Sequence, residues 1–248
     1  MKGRTLIIRL AKSAYFRTPL WRFLLPIMKF DKKIAQLSFI TEAIKSVKAD
    51  GAVLEIGVGG GGTSIVINKF MEEESIDRPF YAIDTFYGFT QEDVDFERKE
   101  RGKTDRYLGY RSNSKDWYVK TLIAHGIRDA RVIQADAKQL DYTQFAPVAF
   151  CFLDIDLYNP IASVLPRVHD VVAPGGMIVV DDCNPADSPL RWRRIRLSRI
   201  LRSAGNCTGD CVRQSRHYQK TRIVIAALRN CRPTPGLPRS PIQASRAR

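Results

Sequence analysis

The chain has 248 residues, 44% of them hydrophobic, and carries 40 Lys and Arg against 26 Asp and Glu, a formal charge of +14. That length suits one sizeable α/β domain with appendages, and no stretch reaches the roughly 18 to 20 uninterrupted apolar residues of a membrane span. Arg9 and Lys12 interrupt the N-terminal apolar run, so no signal peptide is expected, and an odd count of five cysteines points to reduced thiols in the cytoplasm, peripheral to the membrane if the basic ends bind it.

The positive charge sits at the ends. Residues 1–30 hold seven bases and no acid, residues 185–248 hold fifteen bases and two acids, and the remainder holds eighteen bases and twenty-four acids. Such ends either meet something anionic, a membrane surface or a phosphorylated substrate, or are plain solvated termini. Residues 1–48 read as a basic helical extension, in which Ile34, Leu37, Ile40, Ile44 and Val47 recur at helical spacing. Residues 49–230 form the main domain, and residues 231–248, rich in Pro, Arg and Ser, a disordered tail.

From residue 50 onward strand-like runs alternate with helical ones, the pattern of βαβ units in a parallel sheet. Strands are expected at 52–58, 80–86, 130–136, 148–155 and 177–182, mostly continuous apolar runs suited to burial on both faces. A last strand over 221–228 is expected to run antiparallel. Between the fourth and fifth strands a short helix is closed by Pro174, Gly175 and Gly176, and another begins at Ser188 and ends at Gly205. The polar stretch 87–116 is too long for an ordinary connection and reads as a partly helical lid, with a plain surface insertion as the alternative.

After the first strand comes Glu55-Ile56-Gly57-Val58-Gly59-Gly60-Gly61-Gly62-Thr63-Ser64. Gly57, Gly59 and Gly62 satisfy G-x-G-x-x-G, a turn that lets a ligand approach the backbone at a helix N-terminus. Nicotinamide cofactors, S-adenosylmethionine and plain tight turns all use such loops. Asp84, closing the second strand, is placed to take ribose hydroxyls. Glu55, at the end of the first strand, needs a cationic or hydrogen-bonding partner, which the ammonium of an amino-acid-bearing cofactor would supply. Asp136, at the end of the third, is placed to hold an adenine amino group; for both Asp84 and Asp136 a helix N-cap is the simpler use.

The fourth and fifth strands end in Asp154 and in Asp181-Asp182. Carboxylates converging at adjacent strand tips cannot all stay ionised without a cation, and a hard divalent ion, Mg²⁺ first, resolves this. Asp156, two residues on, shares a face with Asp154 if the chain stays extended, and would remove a proton from a bound hydroxyl. His169 and His125 sit near helix ends and read as structural.

The stretches "LEIGVGGGGTS", "YAIDTFYGF", "LDIDLYNP" and "RVHDVVAPGGMIVVDDC" together resemble the macrocin O-methyltransferase family of class I S-adenosylmethionine-dependent enzymes. The resemblance spans about residues 50–185. It implies an α/β fold, a Rossmann-like, doubly wound, mostly parallel seven-stranded sheet with an antiparallel last strand. It also implies methyl transfer to a sugar hydroxyl with a bound Mg²⁺. Carried onto this sequence, Asp154, Asp181 and Asp182 match the metal ligands and Asp156 the general base. Glu55, Gly57, Gly59, Thr63, Ser64, Asp84 and Asp136 form the cofactor site. Cys183 departs from the family's usual aromatic residue.

Arg191, Arg193 and Arg194, just past the metal motif, are candidates to bind an anionic acceptor such as a glycolipid or polysaccharide precursor, with Tyr87 a further acceptor contact. The rival readings are an RNA methyltransferase, disfavoured because "DLYNP" lacks paired prolines before an aromatic, an NAD-dependent oxidoreductase, and a non-catalytic membrane-surface binding protein. The acceptor expected is therefore a small molecule or glycan rather than a nucleic acid, and the reading allows a homodimer.

Overall fold

A computed structural model describes residues 2–19, 32–105 and 107–181 and the backbone of 221–225. The basic helix expected over 188–205, the tail 231–248, and Asp182, Arg191, Arg193 and Arg194 lie outside the described residues.

Two helices, α1 (Lys2–Arg17) and α2 (Ile34–Ser46), precede the sheet. Then β1 (Ala52–Ile56), α3 (Gly62–Glu73) and β2 (Phe80–Asp84) form the first βαβ unit. The lid stretch folds into α4 (Gln91–Lys99) and a loop, followed by α5 (Lys115–Ala124) and β3 (Arg131–Gln134). The second half runs β4 (Val148–Leu153), α6 (Tyr158–Val171) and β5 (Val172–Val180), with β6 (Thr221–Ile225) at the edge.

The strand order is β3-β2-β1-β4-β5-β6, so the order reverses between β1 and β4 and a crevice opens beyond their carboxyl ends. The described residues supply six of the expected seven strands, and β6 pairs parallel with β5 instead of antiparallel. A second departure concerns Pro174, Gly175 and Gly176. They do not end α6; the helix stops at Val171, and these residues lie within β5, where Gly175 takes φ +84° and the register with β4 shifts. A proline and two glycines can act as a strand irregularity as readily as a helix stop.

Successive residues of each central strand feed opposite faces, as the pleat requires. Val53, Phe150, Phe152 and Val179 pack with Ile40 and Ile44 of α2, Ile67 of α3 and Tyr118 of α5. Leu54, Ile56, Cys151, Leu153 and Val180 pack with Val164, Leu165 and Val168 of α6 on the other side. Both layers are closed, so every residue of β1 and β4 is buried, and β4 is apolar throughout.

Candidate active site

A cleft at the strand-order reversal is lined by the glycine loop, the tips of β1, β2 and β4, and the lid. Counting the solvent at its open mouth it spans about 980 Å³.

Gly57 leaves β1 at φ +86°, and a Cβ there would stand 2.0 Å from the carbonyl oxygen of Asp154. Only glycine lets the two strand tips approach this closely. Asp84 holds the loop that follows. Its Oδ2 accepts from the backbone N–H groups of Val58 (2.9 Å) and Gly59 (3.2 Å), and its Oδ1 from the N–H of Phe86 (2.7 Å). Ribose hydroxyls would therefore share this carboxylate with the loop amides.

Glu55 is 1% exposed. Its Oε2 accepts from Ser64 Oγ at 2.6 Å, and Ser64 Oγ accepts in turn from Tyr118 Oη at 2.7 Å. Burial pushes the Glu55 carboxyl up to about 8, against the opposing pull of the Ser64 hydroxyl. A buried carboxylate on the cleft wall, met by a hydroxyl, fits a ligand ammonium. Ser64 does not line the cleft. It positions Glu55 from behind, and Tyr118, which no sequence motif marked, completes the chain. Thr63 and Asp136 do line it. Asp136 Oδ1 also accepts from the Lys138 N–H at 2.9 Å, so the simpler N-cap use is real alongside a position on the cleft wall.

At the tips of β4 and β5, Asp154 and Asp181 converge on Lys32. Lys32 Nζ lies 2.7 Å from Asp154 Oδ2 and also pairs with Asp181 Oδ2. Gln36 Nε2 donates to Asp181 Oδ1 at 3.3 Å, while Gln36 Oε1 accepts from the Lys33 N–H at 2.8 Å. Burial pulls the Lys32 pKa down, but the two carboxylates more than reverse this and hold it above the ordinary lysine range.

The donors are the hard oxygens a divalent ion prefers, yet the ammonium occupies their meeting point and neutralises them. With Lys32 seated, Asp154 and Asp181 by themselves offer a divalent ion no open pair of donors, and Asp182, the third expected ligand, lies outside the described residues. Among the described residues no group of three or more His, Cys, Asp or Glu is placed to hold a metal. Lys32, 122 positions before Asp154 in the chain, carries no local signal that would have marked it.

Asp156 lines the cleft, but not by the route expected. The chain does not stay extended past Asp154: Asp156 takes φ +53°, in the left-handed region where Asp is among the better tolerated side chains. The Leu157 N–H donates to the Ile155 carbonyl in the same turn. His125 caps α5 with Nδ1 2.8 Å from the Thr121 carbonyl, and His169 lies in the last turn of α6; neither lines the cleft. Tyr87 is also outside the lining, its ring under the Arg9 guanidinium at 3.8 Å.

The lid is pinned by two buried carboxylates that sequence patterns did not reveal. Asp93 pairs with Lys138 Nζ (2.8 Å) and accepts from Asn159 Nδ2 (2.7 Å). Glu97 accepts from Arg101 Nη1 (2.7 Å) and from the Tyr158 N–H (2.7 Å) at the N-terminus of α6. Phe89, Thr90, Asp93 and Tyr110 thereby become one wall of the cleft.

A Rossmann-like sheet reversing between β1 and β4, with a glycine loop and an acid at each of the first three strand ends, is an architecture that class I S-adenosylmethionine-dependent methyltransferases share with dinucleotide-binding enzymes. The family model for macrocin O-methyltransferase (TylF) matches residues 24–198. The chain belongs to that family, whose methyl donor is S-adenosylmethionine, and it is an O-methyltransferase.

Among solved structures, that of the O-methyltransferase NovP aligns with a TM-score of 0.55 at 20% identity, covering 68% of this chain and 73% of that one. The calicheamicin methyltransferase CalS11 aligns with a TM-score of 0.53 at 18% identity, covering 80% and 83%. Both share the fold. A comparison with curated proteins returns no match. Among the described residues no helix is long and apolar enough to cross a membrane.

Proposed function

We propose that this protein methylates a hydroxyl of a sugar or glycosylated acceptor, with Asp156 as general base and Lys32 as the fixed cation of the strand tips. The observation that carries this is the placement of the glycine loop and the Asp154-Ile155-Asp156 turn on one cleft, with Gly57 packed against the Asp154 carbonyl. The family's macrocin-methylating name supports a glycosylated acceptor. Catalysis is assigned to residues 49–230, with residues 1–48 as a basic extension and 231–248 as a tail.

Bound in the cleft, S-adenosylmethionine supplies a methyl group on a positively charged sulfur. Glu55 meets the ammonium of that ligand, and the glycine loop admits it to backbone contact. Asp156 would accept the proton of the acceptor hydroxyl whose oxygen receives the methyl group, the donor leaving as the neutral thioether. Orientation in the cleft supplies most of the acceleration, since the transfer is in line. Lys32 holds Asp154 and Asp181 in place, and the proposed roles of Glu55, Asp156 and Lys32 are stated without a divalent ion.

Methyl transfer from labelled S-adenosylmethionine to a panel of sugar nucleotides and glycosides tests the reading. Asp156→Asn is expected to lower turnover roughly 10²-fold or more with cofactor affinity unchanged; unaltered turnover would remove Asp156 from the role. Lys32→Met is expected to create a Mn²⁺ site visible by electron paramagnetic resonance. Tight Mn²⁺ binding by the wild-type protein would instead restore the divalent ion and dismiss Lys32.

A further inference from the structure

α1 turns its charged side toward the protein and its apolar side away. On the inner side Arg9 lies over the Tyr87 ring at 3.8 Å and Lys12 over the Trp117 ring at 4.6 Å. Phe16 is buried there, with Lys120 of α5 over its ring at 5.9 Å. On the outer side Leu6, Ile7 and Leu10 are 57%, 68% and 61% exposed. Positions 6, 7, 10 and 14 share one side of a 3.6-residue helix, so this is a continuous apolar face, the reverse of a helix whose apolar stripe meets the core.

A single exposed leucine needs no explanation, whereas a contiguous apolar face does. Its surroundings decide the occupant. Residues 1–30 contain no acid, Arg17 is exposed at the end of α1, and neighbouring α5 adds Lys115 and Lys120 against Asp116 alone. A second copy of the chain laid face to face would bring two acid-free segments together, at a Coulombic cost. An anionic lipid surface matches both the apolar face and the charge.

We propose that α1 is an in-plane anchor on anionic membranes, with Leu6, Ile7 and Leu10 entering the boundary between headgroups and acyl chains while Arg17 meets lipid phosphates. The anchor lies beside the mouth of the cleft. Tyr87 adjoins the lining residue Gly88, and the Trp117 ring stands 3.4 Å from where a Cβ on Gly60 would be. Docking through α1 brings acceptors held at the membrane within reach of the site. Anchoring does not rest on the methyl-transfer reading, because its test measures no turnover.

The test is co-sedimentation of the full-length protein with vesicles of phosphatidylcholine alone and of phosphatidylcholine with about one third phosphatidylglycerol. The wild type is expected to favour the anionic vesicles by roughly ten-fold or more and to be released by about 0.5 M salt. Combined Leu6→Ser, Ile7→Ser and Leu10→Ser should reduce that binding roughly ten-fold, with circular dichroism and S-adenosylmethionine affinity unchanged. Arg17→Glu, which leaves the apolar face intact, should weaken it less but in the same direction. Wild-type indifference to anionic vesicles would overturn the proposal. So would a triple variant that binds as the wild type does, which would move the contact to the basic C-terminal end. A lipid-free wild-type dimer that the triple substitution makes monomeric would assign the face to a second copy.

Discussion

Glu55 shows how a single buried charge prepares the site. Its carboxyl is held near neutrality by burial, with a pKa of about 8, and its hydroxyl partner Ser64 is itself held by Tyr118. A ligand ammonium arriving beside it would favour the ionised form. Cofactor binding near pH 7 is therefore expected to release about one proton per site, read by calorimetry in buffers of differing ionisation enthalpy. Glu55→Gln should abolish that release, and equal heats in all buffers for the wild type would contradict the pairing. Gly57 makes the complementary point through sterics. Gly57→Ala must hold a side chain at φ +86° against the Asp154 carbonyl, and a loss of at least about 2 kcal/mol in urea denaturation is expected.

At the scale of elements, α4 owes its position to ion pairs more than to apolar packing. Its buried residues are Asp93, Val94 and Glu97, and both acids reach across to other elements. Removing one partner of a buried pair leaves the other charge without compensation, which costs more than the pair contributes. Lys138→Met is accordingly expected to free the lid while leaving the sheet intact. Hydrogen exchange over 88–100 should speed up and the acceptor's KM should rise. Unchanged exchange there would mean that α4 is held by something other than Asp93. The lid was legible in the sequence as a long polar insertion between β2 and β3. Its pins were not, because Asp93 and Lys138 lie 45 positions apart and acids on a charged helix look like a solvated face.

For the molecule as a whole, pH sensitivity follows from the same buried carboxyl. Glu55 binds its proton more tightly folded than unfolded, so between about pH 4.5 and 8 the native state carries more of that proton. Stability from this group is fullest below the unfolded pKa and falls as pH rises through the folded one, by an amount on the order of a few kcal/mol. The melting temperature of the cofactor-free protein should fall across that window, and Glu55→Gln should flatten the decline. A profile that Glu55→Gln leaves unchanged would place the pH dependence elsewhere.

Local chemistry was enough to reveal β1 to β5, the glycine turn and the gathering of Asp154 and Asp181, because apolar runs, glycines and strand-end acids are written in adjacent residues. The direction of β6, the place of Pro174-Gly175-Gly176 inside β5, and the bend that turns Asp156 into the cleft depended on strand pairing and on backbone angles that several residue types can adopt. Above all, the cation at the strand tips was decided in three dimensions. Electrostatics demanded a positive charge between those carboxylates, but only the packing of α2 against the sheet determined that the preceding Lys32 would supply it.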